Sequence, residues 1–360
     1  MEADMGSKIL PFKNSGKQLK NDCPCGSGKS YKRCCAIKSN STEDAPIRNP
    51  QSPANMKSFD LEKEKMFGAL NQVVETTELD FEEVRSMMIG KTFDNATDSL
   101  SRLSPAEVNR IQLREKLDEL LELAEMTSST KKRIAIARDI LAQDPDYSDA
   151  FLILADADSK TTQQAIRYFE AAIKAAERKL GKEKFESAKG HFWGMNETRP
   201  YMRARFLLAS AMWQIGRRIE AIVHLEEMLA LNPSDNQGLR YFLINWYLFI
   251  GDHKKADQLM NRYEDDAGLE FAFGQALSLF MKEGQIPEVN AVLRRAIERN
   301  PLALVLLLHP EQIPELLPDE YSIGSPEEAM LFAHEASEVW LNIPEAMEWL
   351  QKITPKTKRR

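Results

Sequence analysis

The sequence predicts an all-α protein: a stack of helical hairpins that carries a small N-terminal metal knot on a flexible linker. Three observations point there. Apolar residues recur at helical spacing from Phe59 onward, with no strand-like alternation to compete. Small, apolar and turn residues return at intervals of 33 to 35 positions through the body of the chain. All four cysteines of the 360 residues fall within thirteen positions near its start.

The knot comes first in the chain. Cys23 and Cys25 flank Pro24, a Gly-Ser-Gly reversal follows at 26–28, and the chain returns with the adjacent pair Cys34 and Cys35. Four thiolates can converge there on one tetrahedral ion, which makes Zn2+ the expected metal and iron the alternative. Such a site carries a formal charge of about −2, and Lys29, Lys32 and Arg33 stand nearby to offset it. Disulfides would need an oxidising compartment, and Met1 to Asn14 lack the apolar core of a secretory leader. The stretch Gly26 to Ser30 is no phosphate loop, because Cys23 occupies the place of that motif's first glycine.

The run Cys-Pro-Cys-Gly-Ser-Gly-Lys-Ser-Tyr-Lys-Arg-Cys-Cys resembles the SEC-C metal-binding motif, found at the C-terminus of the SecA translocation motor and attached to many bacterial proteins. The resemblance covers about twenty residues. It implies that Cys23, Cys25, Cys34 and Cys35 are the ligands, and that the module docks on a ribosome or a partner protein rather than catalysing a reaction. Ala36 stands where the motif usually has a glycine, a departure that leaves the ligands untouched.

Charge separates the knot from the body. Residues 1–40 hold eight Lys and Arg against three acidic residues, while the whole chain is −7. The arm is therefore the anion-facing end, able to meet an acidic protein surface or RNA phosphates, or else to remain a solvated tail. Lys356, Lys358, Arg359 and Arg360 make a second, smaller basic tail. Residues 38–58 are rich in Ser, Asn and Pro, with Thr, Asp and Gln among them, which is linker chemistry, and a coil of that length would set the module some 25 Å from the body (about 5–6 Å times the root of the residue number). No apolar run is long enough to span a bilayer, so membrane insertion is not expected and the expected location is the cytoplasm.

The predicted organisation is a zinc module with its basic arm at 1–37, a linker at 38–58, a helical region at 59–129, repeats at 130–301 and a helical cap with a basic tail at 302–360. In the helical region, Ser104 and Pro105 read as N-cap and first helical residue ahead of Val108, Ile111, Leu117 and Leu121. Leu208, Ala209, Met212, Gly216, Ala221, Leu225, Met228 and Pro233 occupy the small, apolar and turn positions of one repeat. Leu243, Tyr247, Gly251, Ala256, Met260 and Tyr263 repeat the pattern, as do Phe280, Gly284, Val289, Leu293, Ala296 and Pro301. Upstream, Phe151, Leu154, Ala155, Ala165, Phe169 and Ala172 fit with a shortened turn. In the cap, Ser325, Pro326 and Glu327 open a helix, and Trp340 and Trp349 supply apolar cover.

This body resembles the tetratricopeptide superfamily over roughly 130–301. The block Gly190 to Arg205, with Leu231 to Arg240, is also similar to a largely uncharacterised group of repeat proteins in bacteria and plants. Arg299-Asn-Pro301 and Gly324 to Ala329 are similar to the suppressor-of-tumorigenicity family. The tetratricopeptide resemblance implies a concave groove lined by the first helix of each hairpin, where a protein segment is gripped. The template places Arg203, Ser210, Trp213, Gln214, Tyr241, Asn245, Phe249, Ser278 and Lys282 on that face. Two readings stay open for Trp213, Tyr241 and Phe249: contact with a bound segment, or packing between neighbouring helices. The Lys and Asn positions of the clamp that holds chaperone tails are Leu152, Asp156, Phe242, Phe271 and Gln275 here, so that clamp is not expected.

The expected role is a protein-interaction adaptor and not an enzyme. An enzyme alternative rests on His191, Trp193, Glu197, Arg199, Tyr201, Arg203 and Arg205, enough for an acid and a base beside cationic holders. The same residues also suit a salt-bridged corner at the lengthened hairpin Ala171 to Lys189, and that reading is preferred.

Overall fold

A computed structural model of the chain describes residues 104–353. The four cysteines, the linker and the helices expected between 59 and 103 lie outside the described residues, as does the basic tail. Among the described residues the secondary structure is entirely helical, with thirteen α-helices and no strand. They fall into two compact units, 104–216 and 217–353. The expectation of an all-α chain is met there.

The first unit holds α1 (Pro105–Met126), α2 (Thr130–Gln143), α3 (Ser148–Asp158), α4 (Thr162–Ser187) and α5 (Arg199–Gln214). Helix α1 starts where the sequence places it, through a reciprocal capping box. The Ser104 hydroxyl accepts from the Glu107 N–H at 3.3 Å, and the Glu107 carboxylate accepts from the Ser104 N–H at 2.7 Å. Each helix packs on the next, and α1 also meets α3, as α3 meets α5. Odd-numbered helices therefore share one layer, and α2 and α4 each pack against two of them. Leu117, Ala124, Ala137, Ile140, Ala150 and Leu154 form a core in which alanines let helix axes approach closely. Helix α4 breaks its helical path at Gly181 (φ 69°), then leads through two 3-10 turns, Phe192–Gly194 and Asn196–Thr198, into α5.

The second unit holds α6 (Arg218–Leu231), α7 (Leu239–Ile250), α8 (His253–Arg262), α9 (Leu269–Glu283), α10 (Pro287–Arg299), α11 (Pro301–Leu308), α12 (Pro326–Leu341) and α13 (Pro344–Ile353). Helix α7 packs on α6, α8 and α9, and α9 packs on α10. Gly216 and Gly251, expected to turn the chain, both have φ near 83°, a region costly for residues with a Cβ. Gly274 meets another demand: a Cβ there would sit 2.8 Å from Ile244 Cγ2, so its absence lets α9 lie tightly on α7.

The C-terminal segment does more than cap the last hairpin. Helix α12, opened by Ser325 as predicted, packs against α7 and α9 as well as α11 and α13. The Asn342 amide donates to the Phe249 carbonyl oxygen at 3.4 Å, and Arg218 pairs with Glu338 at 3.0 Å while lying 3.8 Å over the Phe249 ring. Phe273 meets Phe332 and Trp340, and Phe280 stacks on Trp349 at 4.6 Å. Trp340 and Trp349 are core residues, as expected.

Candidate functional site

Of the candidate groove residues, four lie on α5 and five in the second unit. On α5, Ser210 and Trp213 are buried and Gln214 is half-buried. Arg203 makes a two-pronged pair with Asp149 of α3, at 3.1 and 2.7 Å, which ties the odd-numbered layer together. In the second unit Ser278 is fully buried and donates to Asp257 at 2.6 Å, while Lys282 reaches the other oxygen of the same carboxylate at 2.8 Å. Both residues thereby fasten α9 to α8. Phe249 is buried under Arg218, and Tyr241 donates to Asp266 at 2.9 Å.

The segment 190–205 forms a tight corner. Phe185, Phe192 and Tyr201 meet edge to face, with ring centres 4.8 to 5.8 Å apart. The buried Thr198 hydroxyl donates to the carbonyl oxygens of Phe192 and Met195, closing both 3-10 turns. Arg199 donates to the Trp193 carbonyl at 3.0 Å, Arg205 to the Tyr201 hydroxyl at 2.8 Å, and Glu197 pairs with Lys184 at 3.1 Å. His191 is exposed, and no hydrogen bond joins it to Glu197 among the described residues. Arg205 makes its contact within α5, whereas Arg199 holds a turn and Glu197 ties the corner back to α4.

A second polar region is absent from the sequence-based expectations. Asp235, the one non-glycine residue with positive φ among the described residues (50°), accepts from the N–H groups of Leu239 and Arg240 at 2.7 and 3.0 Å and so caps α7. Arg240 bridges Asp235 at 2.9 Å and Asp266 at 2.6 Å. Burial opposes the guanidinium charge, but Tyr241, Asp235 and Asp266 outweigh it and hold the group protonated.

Beside this pair lie two further carboxylates, Glu270 and Glu335, the second 3.9 Å from the His334 imidazole. Burial, with Glu328 and Asp266 adding repulsion, raises Glu270 to about 7, although Arg240 opposes the shift. Burial, with repulsion from Glu270 and Glu338, raises Glu335 to about 8. Tyr321 is raised to about 12 by burial and by Glu270, Glu328 and Asp266. His334, next to Glu335, is held below the usual imidazole range by burial. No single residue type marks this region in the sequence: Glu270 and Glu335 sit on α9 and α12, and only tertiary packing brings them together.

These shifts fix a pH dependence. Glu270 and Glu335 bind protons more tightly folded than unfolded, so their contribution is fully present below about pH 4.5 and is lost as pH rises through 7 and 8. Lowering pH from about 8.5 to 6.5 should therefore raise the unfolding free energy of the second unit by on the order of 2 kcal/mol once solvent screening at part-exposed Glu335 is allowed for, read as a higher urea midpoint. Below that window His334, whose proton is taken up more readily by the unfolded chain, works in the opposite direction. A midpoint that stays flat or falls on acidification to pH 6.5 would overturn the assignment.

Among the described residues no helix is long and apolar enough to cross a membrane, and no group of three His, Cys, Asp or Glu is placed to hold a metal ion. The SEC-C motif matches residues 20–36, a span that contains Cys23, Cys25, Cys34 and Cys35. No curated protein matches the chain significantly.

Proposed function

We propose that the chain is a cytoplasmic protein-interaction adaptor, in which an N-terminal zinc module docks on a ribosome, the export machinery or a partner protein and a tetratricopeptide-like body holds a protein segment. The observation that carries this reading is the SEC-C match at 20–36 around four cysteines. Four thiolates and no open position suit a structural zinc ion, which folds a small module and creates a surface without doing chemistry. The excess of Lys and Arg in residues 1–40 gives that surface an attraction for anionic partners.

The helical body supports the second half of the reading by its layered hairpins and by turn glycines where the repeat template has them. In the second unit α12 lies along the side of α7 that carries Phe249, so a client is better accommodated on the odd-numbered layer of the first unit, where Arg203 stands. Cosedimentation of the intact chain and of a chain lacking residues 1–40 tests the docking step. The intact chain should pellet with ribosomes or export complexes and release about one zinc per chain to a chelator, whereas the shortened chain should stay in the supernatant. Equal pelleting of both, or metal-free protein with four titratable thiols, would remove the proposal. Binding that collapses steeply with salt on any RNA would assign the arm to phosphate contacts instead.

A further inference from the structure

The connection between α11 and α12, residues 309–325, shows solvent the two most exposed large apolar side chains among the described residues, Leu316 at 79% and Ile323 at 71%. The connection itself is held at both ends. A 3-10 turn, Pro310–Gln312, opens it, with the N–H groups of Gln312 and Ile313 donating to the His309 and Pro310 carbonyl oxygens at 2.9 and 3.2 Å. At its close the Ser325 N–H donates to the Ser322 carbonyl oxygen at 2.9 Å, and the Gly324 N–H to the Glu328 carboxylate at 2.7 Å. Ile313, Leu317 and Tyr321 are half-buried along the way, so Leu316 and Ile323 face outward because of the path the chain takes.

Single exposed apolar residues are ordinary on a protein surface, but the charge around these two is not. Between Asn300 and Gln351 the chain has ten acidic residues and no Lys or Arg. Glu311, Glu315, Asp319 and Glu320 all lie in the connection, and Glu315 and Glu320 are exposed and make no ion pair among the described residues. Outward apolar side chains set among carboxylates fit an occupant that is apolar and cationic. A second copy of the same connection brings the same negative charge, and an anionic lipid surface is repelled for the same reason.

The N-terminal arm of the chain has the complementary make-up. Residues 5–21, outside the described residues, hold four lysines and no acidic residue, with Ile9, Leu10, Phe12 and Leu19 interspersed. More than eighty residues separate Lys20 from Ser104, and at up to about 3.3–3.6 Å per residue that length of chain does not limit which face the arm can reach. Because both segments belong to one chain, their contact is intramolecular and is populated even where the same two pieces, separated, would bind weakly.

We propose that residues 7–20 dock on the α11–α12 connection, with Ile9, Leu10 and Phe12 covering Leu316 and Ile323 while the lysines face Glu315 and Glu320. Lysines engaged there are withheld from an anionic partner outside the chain, which makes the contact autoinhibitory. The contact is independent of the zinc and client readings above, and its test involves neither.

Zero-length carbodiimide cross-linking of the full chain at low salt, read by peptide mass spectrometry, tests the contact. Links from Lys8, Lys13, Lys17 or Lys20 to Glu315, Asp319 or Glu320 should outnumber links from the same lysines to the exposed Glu345 and Glu348 by about tenfold. In a mixture of isotope-labelled and unlabelled chain, both halves of each linked peptide should carry the same label. Leu316→Ser combined with Ile323→Ser changes two outward positions without touching the core, and should cut these links about tenfold at unchanged charge. Links spread over all exposed carboxylates, or undiminished in the double variant, would reduce the arm to diffuse attraction and overturn the proposal. Mixed-label links would make the occupant the arm of a second copy, and absence of links would leave the surface to a basic, apolar segment of another protein; either result overturns it as well.

Discussion

Replacing Arg240 by leucine is expected to destabilise the second unit by about 3–5 kcal/mol, the cost of leaving a buried charge without its partner. Arg240 lies between Asp235, whose side chain is 0% exposed, and Asp266, whose side chain is 9% exposed. It also donates to the Asp235 carbonyl oxygen and to the Tyr241 hydroxyl. Asp235 in turn caps α7 through two backbone N–H groups, so loss of the guanidinium leaves an uncompensated carboxylate at the start of that helix. A urea titration followed by far-UV circular dichroism measures the effect as a fall in midpoint at unchanged slope. Adding Asp235→Asn to Arg240→Leu should restore part of the loss, because the amide needs no counter-charge. A single-variant loss below about 1 kcal/mol, the range of an exposed ion pair, would show the bridge to be a surface contact only.

Trp340→Ala should be comparably severe, at about 3–5 kcal/mol. Trp340 is 2% exposed, and its ring lies 6.2 Å from Phe273 on α9 and 6.3 Å from Trp349 on α13. Trp349 is itself stacked on Phe280 and donates to Asn290 at 2.6 Å, so one indole sits at the junction of four helices. Truncation removes apolar burial and leaves a cavity that rigid helices cannot collapse to fill. The thermal midpoint of the second unit should fall by roughly 10 °C, at about 2–4 °C per kcal/mol for a domain of this size. The near-UV signal of the indole cluster should disappear in the same transition. A variant that melts with the native protein would return Trp340 to the surface and to the partner-binding reading.

How much was legible in the sequence varied with the range of the interaction. The helix starts at Ser104-Pro105 and Ser325-Pro326 are local events, decided within one turn by a side-chain oxygen and a ring that fixes φ, and both were readable. So were the turn glycines and the core role of Trp340 and Trp349. The position of α12 was not, because an amphipathic helix shows that it has a buried face and not which helices cover it. Placed on the repeat template, Ser278 and Lys282 read as groove residues. In the structure both are engaged by Asp257, an ion pair across two helices that has no sequence period. At 190–205 the sequence favoured a salt-bridged corner, and the particular carbonyls and aromatic rings that hold it came only from the fold.

The sequence by itself determined the helical class, the position of the helix caps and turns, and the cysteine constellation matched by the SEC-C motif. These depend on neighbours within a few residues, where backbone geometry and ligand spacing are set by the chain's own covalent order. Only the tertiary structure decided that α12 lies on α7 and α9, that Arg240 bridges two aspartates, and that Glu270 and Glu335 repel one another. Burial and electrostatic coupling depend on distance through space, and residues sixty-five positions apart carry no mark of it until the helices pack.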